Sequence, residues 1–293
     1  MNNKCILSDL FVVSSKFSIF AHINSLTVSI HTMLNPKQLV LLICLFATAQ
    51  TTFSQLGFSH EIGAIAGPVE FRSDFGERLN EKNNFGNSGY GIGIIHYLNF
   101  AYSADCNCYT TYNYFNDHFK LRNEISYNKS QLEHHGEWVA PYRNTPEANQ
   151  LRAHTGVAEN FDIGTQLEFF PRSIRDFQGF AYRFAPFISL GVHYTYSTPE
   201  VSTTYGNGDI TDPANFYSYW QPDSVSNEAK SGWSLVTSVG VRYKLGVLSD
   251  LMLDLRWQYY GHDWVDGLNH QLTSNKYNDW LLWLNFGYIY YLD

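Results

Sequence analysis

In Leu251-Met-Leu-Asp-Leu-Arg-Trp-Gln-Tyr259 the odd positions read Leu, Leu, Leu, Trp, Tyr, and the even ones Met252, Asp254, Arg256, Gln258. A period of two puts the first set on one face of a strand and the second on the other, whereas a helix would scatter both around its circumference. Upstream the device recurs: Trp233, Leu235, Thr237, Val239, Val241, Tyr243 and Leu245 alternate with Ser234, Ser238, Gly240, Arg242 and Lys244. Carried along the chain, the same reading predicts eight strands, near 57–70, 88–100, 118–132, 153–170, 181–197, 232–247, 251–264 and 278–292. The connections differ in length: 248–250 is tight and 171–180 moderate, while 71–87, 133–152, 198–231 and 265–277 are long.

The composition suits strands. Of 293 residues, 17% are aromatic and 21 are Gly, and only 16% are charged, against about 25% in ordinary soluble domains. The formal charge of -8 leaves no basic footprint for a phosphate backbone, so nucleic acid is not an expected partner.

Residues 1–54 read as export information. The apolar core Leu39-Val-Leu-Leu-Ile-Cys-Leu-Phe-Ala47 follows Lys37 and leads to small residues before a cut after Ser54, the pattern of a secretory signal peptide. Met33 is the expected true start, with residues 1–32 a leader extension and 55–293 the folded domain. The core falls short of the roughly 20 residues of a helical span. Cys44 lies inside it, after Ile43 where lipoprotein processing wants a small residue.

An exported chain of eight alternating strands, with short turns at one end and long loops at the other, is expected to be an antiparallel transmembrane β-barrel in the outer membrane of a Gram-negative bacterium. Aromatics support this. With the first strand rising from the periplasm, Tyr90, Tyr127, Tyr196, Trp233, Tyr259 and Trp280 form an outer girdle, and Phe58, Phe119, Phe169, Phe184, Tyr243 and Tyr290 an inner one. The C-terminal run Asn285-Phe-Gly287-Tyr-Ile-Tyr290-Tyr-Leu292 looks like the β-signal read by barrel-assembly machinery, although Asp293 departs from an aromatic terminus. From His60-Glu-Ile-Gly63 onward the chain is similar to an uncharacterised family of small outer-membrane barrels of Bacteroidota, which share stretches like Ala104-Asp-Cys-Asn-Cys-Tyr109 and Tyr114-Phe-Asn-Asp-His-Phe-Lys-Leu-Arg122. It resembles more distantly the PorG-like and PorT-like barrels of the type IX secretion system. The resemblance implies fold and location and hardly bears on function; the expected partners are outer-membrane lipid, the barrel-assembly machinery and an envelope protein.

Parity assigns Glu61, Lys120, Arg122, Glu124, Asp162, Glu168, Arg183, Arg242, Lys244, Asp254 and Arg256 to the interior. Five acids and six bases in so narrow a bore are expected to pair as a polar plug, helped by inward Gly63, Gly89, Gly91, Gly93 and Gly240. Gly89-Tyr-Gly91-Ile-Gly93 is no dinucleotide fingerprint, because Ile94-Ile-His-Tyr-Leu-Asn99 continues a strand instead of opening a helix; no cofactor is expected.

Outside the bore, Cys106 and Cys108 form the candidate disulfide of a periplasmic connection, a loop staple or, if strained, a redox pair. His134, His135, His154 and the group His262, Asp263, Asp266, His270 are weak metal candidates on the outer loops, and no metal is assigned. Tyr205, Phe216, Tyr217, Tyr219 and Trp220 suit a glycan or protein contact, or else fold back over the barrel mouth. No G-x-S-x-G occurs, and His60 and His96 point outward without a lipid-facing Ser beside them, so no catalytic residue is assigned. The expected function is that of a non-enzymatic structural or accessory envelope component working through its loops. A small-solute channel and a lipid-modifying enzyme are the alternatives.

Overall fold

The computed structural model of the chain describes residues 58–78, 80–100, 114–275 and 277–292. The expected leader and the cut after Ser54, together with Cys106 and Cys108, lie outside the described residues.

Eight antiparallel strands close on themselves: β1 (Ser59–Arg72), β2 (Ser88–Asn99), β3 (Phe119–Glu133), β4 (His154–Phe169), β5 (Phe184–Thr203), β6 (Lys230–Gly246), β7 (Ser249–Tyr260) and β8 (Trp280–Tyr291). Each pairs with its neighbour in sequence, and β1 pairs with β8 from Glu61↔Tyr291 to Arg72↔Trp280. Closure leaves no edge whose N–H and C=O groups would need water, the condition for a sheet to cross hydrocarbon. Among the described residues no helix is long and apolar enough to cross a membrane.

The alternation read in the sequence becomes an inside-out distribution. Leu251, Leu253 and Leu255 stand exposed, whereas Asp250, Asp254, Arg256 and Gln258 are fully buried. Ile188, Leu190, Val239 and Phe286 continue the outward apolar belt around the wall. Water would penalise that belt, and lipid removes the penalty, so the barrel spans a membrane in the manner of outer-membrane barrels. Both aromatic girdles face outward as expected, with Tyr90, Tyr196 and Trp233 exposed at one rim and Phe58, Phe184 and Tyr290 at the other.

Strand ends set the loop lengths. At the periplasmic end only Val247 and Leu248 join β6 to β7, and 170–183 joins β4 to β5. At the opposite end four loops leave the wall: L1 (73–87), L2 (134–153), L3 (204–229) and L4 (261–279). L1 carries the short helix α1 (Glu81–Asn84). A further helix, α2 (Tyr114–His118), precedes β3. L2 carries α3 (Pro146–Ala153), opened by a Thr145 cap whose hydroxyl accepts from the Ala148 amide.

Bulk inside the bore depends on glycine opposite it. A Cβ on Gly91 would lie 2.4 Å from Trp283 Cζ2, and one on Gly240 would lie 2.5 Å from Phe187 Cζ. The large partners are thus inward aromatics. Replacing Gly91 by Leu should overpack this layer and lower stability by at least about 1–3 kcal/mol, read as an earlier urea midpoint for tryptophan emission of the barrel in lipid vesicles.

Candidate functional site

Two places concentrate polar chemistry: the lumen and the loop cap above it. In the lumen, the even positions of β3, β4, β6 and β7 and the odd ones of β1 aim charges at a common axis. Near the periplasmic end Lys244 meets Asp250 at 3.2 Å, and the Tyr291 hydroxyl donates to the same carboxylate at 2.5 Å. Above them Glu61 takes Lys120 at 2.5 Å and Arg242 at 2.7 Å, and Arg242 reaches Glu168 at 3.2 Å. Arg122 then joins Glu124 (2.8 Å), Asp254 (3.2 Å) and Glu168 (3.4 Å), and Arg256 grips both oxygens of Glu124 at 2.6 Å. Asp162 is held by neutral donors: Thr195 at 2.5 Å, Gln258 at 2.9 Å and Asn128 at 3.2 Å.

Ten of the eleven residues assigned to the lumen are buried there. Arg183 is the correction. Its parity is inward, but it precedes β5 at the periplasmic lip, where the side chain leaves the bore for water and bonds the outward Tyr243 at 3.4 Å. Asp250 takes a place in the network that the sequence reading had given to a turn; extending β7 by two residues at constant parity would have found it. The described lumen therefore holds six acids and five bases, and the extra acid is accommodated because Asp162 relies on hydroxyl and amide donors.

The cap is built around Arg78 of L1. Its guanidinium meets Asp74 at 2.7 Å, Asp263 at 2.5 Å and Asp279 at 3.0 Å, while Asp266 accepts from the Asp74 amide at 2.9 Å. These contacts stitch L1 to L4. L3 joins through an isolated bridge, Val225↔Leu268, flanked by Ser226 N donating to Gly267 O and Asn269 N to Ser224 O. Phe75 lies between the rings of His134 (5.0 Å) and His154 (4.6 Å), and those imidazoles bond each other at 2.9 Å. Trp220 packs edge-on to His154 and stacks on His270 at 5.7 Å.

This divides the aromatic run of L3. Phe216 and Trp220 fold back over the mouth, whereas Tyr219 stays exposed and Tyr217 lines three clefts, two of them bordered by Trp138. Tyr205 is half-buried beside them. One cleft, about 230 Å³, runs from Trp138 and Tyr217 down to Asp74, Asn83, His134 and His270; the other, about 290 Å³, shares Trp138, Leu151 and Tyr217. Neither was legible beforehand, since Asp74, Phe75, Arg78 and Trp138 sit in loops without periodicity.

The histidines and aspartates suggested for metal meet in pairs, such as His134 with His154, and not as a ligand set. Asp263 is spent on Arg78, both Asp266 oxygens accept backbone amides, His270 faces Asp74 at 3.9 Å, and His262 packs over Gly232. Among the described residues no group of three His, Cys, Asp or Glu side chains is disposed to hold an ion. On the lipid-facing wall, His60 Nδ1 lies 3.1 Å from His96 Nε2, and His96 Nδ1 lies 3.5 Å from the Asn123 amide nitrogen.

Four carboxylates around one guanidinium cannot all ionise cheaply. Burial, with Asp279 and Asp263 nearby, pushes Asp74 up to about 9, against the pull of Arg78. Burial and then Asp279 lift Asp263 to about 7, and burial with Asp279 and Asp74 carries Asp266 well above the usual range. Burial, then Arg78, lowers His270 to about 4, and burial with His154 takes His134 well down.

No family model matches the sequence, and no curated protein is similar to it. Solved structures with a similar fold include the Neisserial surface protein A, NspA (TM-score 0.40, 13% identity, 79% of this chain and 96% of that one). OprG of Pseudomonas aeruginosa gives a TM-score of 0.39 at 13% identity over 80% of this chain and 97% of that one. The outer membrane enzyme PagL gives 0.30 at 10% identity over 78% and 98%.

Two predictions arise from this geometry. Arg256→Met removes the bidentate partner of the buried Glu124, and should cost about 3–5 kcal/mol in vesicle unfolding. The cap should respond to pH in both directions. Groups whose carboxyl pKa is raised on folding destabilise it as pH climbs from about 4 through 9, and histidines whose pKa is lowered destabilise it as pH falls from about 6.5 to 4. Loop proteolysis should therefore accelerate as pH rises from about 6.5 to 9 and level off beyond, and Asp74→Asn should flatten that alkaline limb.

Proposed function

We propose that this chain is a non-conducting outer-membrane barrel that serves as a structural or accessory component of the envelope and contacts its partner through the loop cap. The observation that carries this reading is the lumen network: Arg122 and Arg242 each bridge acids from different strands and Arg256 grips Glu124 across the bore, so the cross-section is occupied from Lys244 up to Gln258. An eight-stranded bore has room for side chains and little else. A transport role would need that network to open, at the cost of leaving buried charges unpaired.

What remains accessible is the outer surface, where Trp138, Tyr142 and Tyr219 stand exposed beside the clefts. Aromatic faces rimmed by polar groups suit a glycan or a protein surface. Outer-membrane lipid surrounds the wall, the run Asn285–Leu292 serves barrel assembly, and the resemblance to PorG-like and PorT-like barrels favours an envelope assembly akin to type IX secretion as the setting. A lipid-modifying activity has less support, because the outward His60–His96 pair is bonded to itself and to Asn123, and the nearby Thr165 hydroxyl donates to the Arg122 carbonyl at 3.2 Å.

Single-channel recording of the purified full-length protein in planar bilayers tests the reading. Silent membranes, with insertion confirmed by heat-modifiable migration of the same sample, are the expected outcome. Sustained conductance steps from the wild-type protein would establish the small-solute channel instead.

A further inference from the structure

The lipid-facing wall carries a cross-strand polar row that neither the lumen nor the cap uses. In the register His96 stands opposite Asn123, and Asn123 opposite Thr165, so β2, β3 and β4 present a cross-strand row of polar side chains outward. Its depth follows from the girdles. Asn123 is four residues from Phe119 at the inner rim and four from Tyr127 at the outer rim; Thr165 is four from Phe169 and four from Phe161. Four residues of strand measure roughly 13 Å, which puts the row near the middle of the hydrocarbon. At that depth a polar group without partners costs several kcal/mol, so an amide and an imidazole there call for a function.

The row occupies β2 to β4, and elsewhere at this depth the outward Thr237 of β6 is satisfied by the Ser189 carbonyl at 2.8 Å. The facing wall presents Leu251, Leu253, Leu255 and Trp257 on β7, and Leu282, Leu284 and Phe286 on β8. Thr165 is satisfied by the Arg122 carbonyl, whereas among the described residues the Asn123 side chain makes a single hydrogen bond, the long one to His96. Its carbonyl oxygen and second amide hydrogen point to a donor and an acceptor beyond the wall. Around it the exposed Ile94, Ile125 and Ile163 offer an apolar surface, and Ala64 and Ala66 on β1, paired with Ile94 and Ile92, leave room for a second backbone.

We infer that this β1–β4 face is the interface with a second copy of the same chain in the membrane, with Asn123 on the two-fold axis. A primary amide is its own complement, since each supplies the acceptor that the other's N–H needs, and a two-fold axis brings the same patch to both sides. An acyl chain would fill the same surface and leave the amide unsatisfied. In lipid the gain from apolar contact is small, so close packing and the polar pair set the specificity.

Cross-linking in native outer membranes tests this directly. Asn123→Cys, in a background with Cys106→Ser and Cys108→Ser, should give a band at twice the monomer mass on mild oxidation. Leu255→Cys, at the same depth on the opposite wall, should stay monomeric. In nanodiscs the wild type should run as a dimer, and Asn123→Leu should lower the dimer fraction at least tenfold while keeping heat-modifiable migration. A monomeric wild type overturns the inference, as does cross-linking of Asn123→Cys only to a species of another mass, or a dimer that Asn123→Leu leaves intact.

Discussion

In hydrocarbon every backbone N–H and C=O must find a partner within the protein, and this chain meets that requirement by pairing β1 with β8 from Glu61↔Tyr291 onward. The rest follows from that closure. Eight strands joined in sequence order fix a small circumference, and a small circumference brings side chains from opposite walls into contact. Arg242 can then reach Glu61 across the bore, 181 residues away in sequence, and Arg256 can reach Glu124. The charges are tolerable because counterions or neutral donors are aimed at them, and Trp283 and Phe187 fit because Gly91 and Gly240 face them.

A filled bore moves function to the surfaces. At the extracellular end the loops repeat the logic of the lumen with a different balance: one guanidinium, Arg78, among four carboxylates, so protons make up what cations do not. That cluster joins L1 to L4, the bridge at Val225↔Leu268 adds L3, and the stack of Phe75 with His134 and His154 adds L2. These contacts tie the four loops into one cap, and its clefts lie between them. On the wall the logic inverts, since polarity is the exception there and Asn123 at mid-depth stands out against isoleucine on either side.

The barrel was almost wholly legible in the sequence. Alternation in runs such as Leu251–Tyr259 and Trp233–Leu245 located all eight strands, because lipid outside and charge inside impose opposite demands on successive residues. The same parity turned eleven charged residues inward, and ten of them are buried. It failed at Arg183, where the wall ends and alternation no longer separates lipid from bore, and it passed over Asp250, whose strand begins sooner than the turn residues suggested. The girdles were legible for a related reason, as rings that settle at an interface recur at fixed distances along each strand.

Which charges pair across the lumen was beyond the sequence, because parity gives the side of a strand and not the height at which opposite walls meet. The cap was further out of reach: Arg78, Asp74, Asp263 and Asp279 come from two loops with no repeat, and only folding brings them within 3 Å of one guanidinium. The mid-depth row was half visible, since His60 and His96 were seen to face outward, but the register was needed to put Asn123 beside them. The sequence by itself determined the wall, with its two faces and its ends, because these are local consequences of period and polarity. The tertiary structure decided every contact across the bore, between loops and along the row, because those depend on register and closure, which bring together residues that the chain keeps far apart.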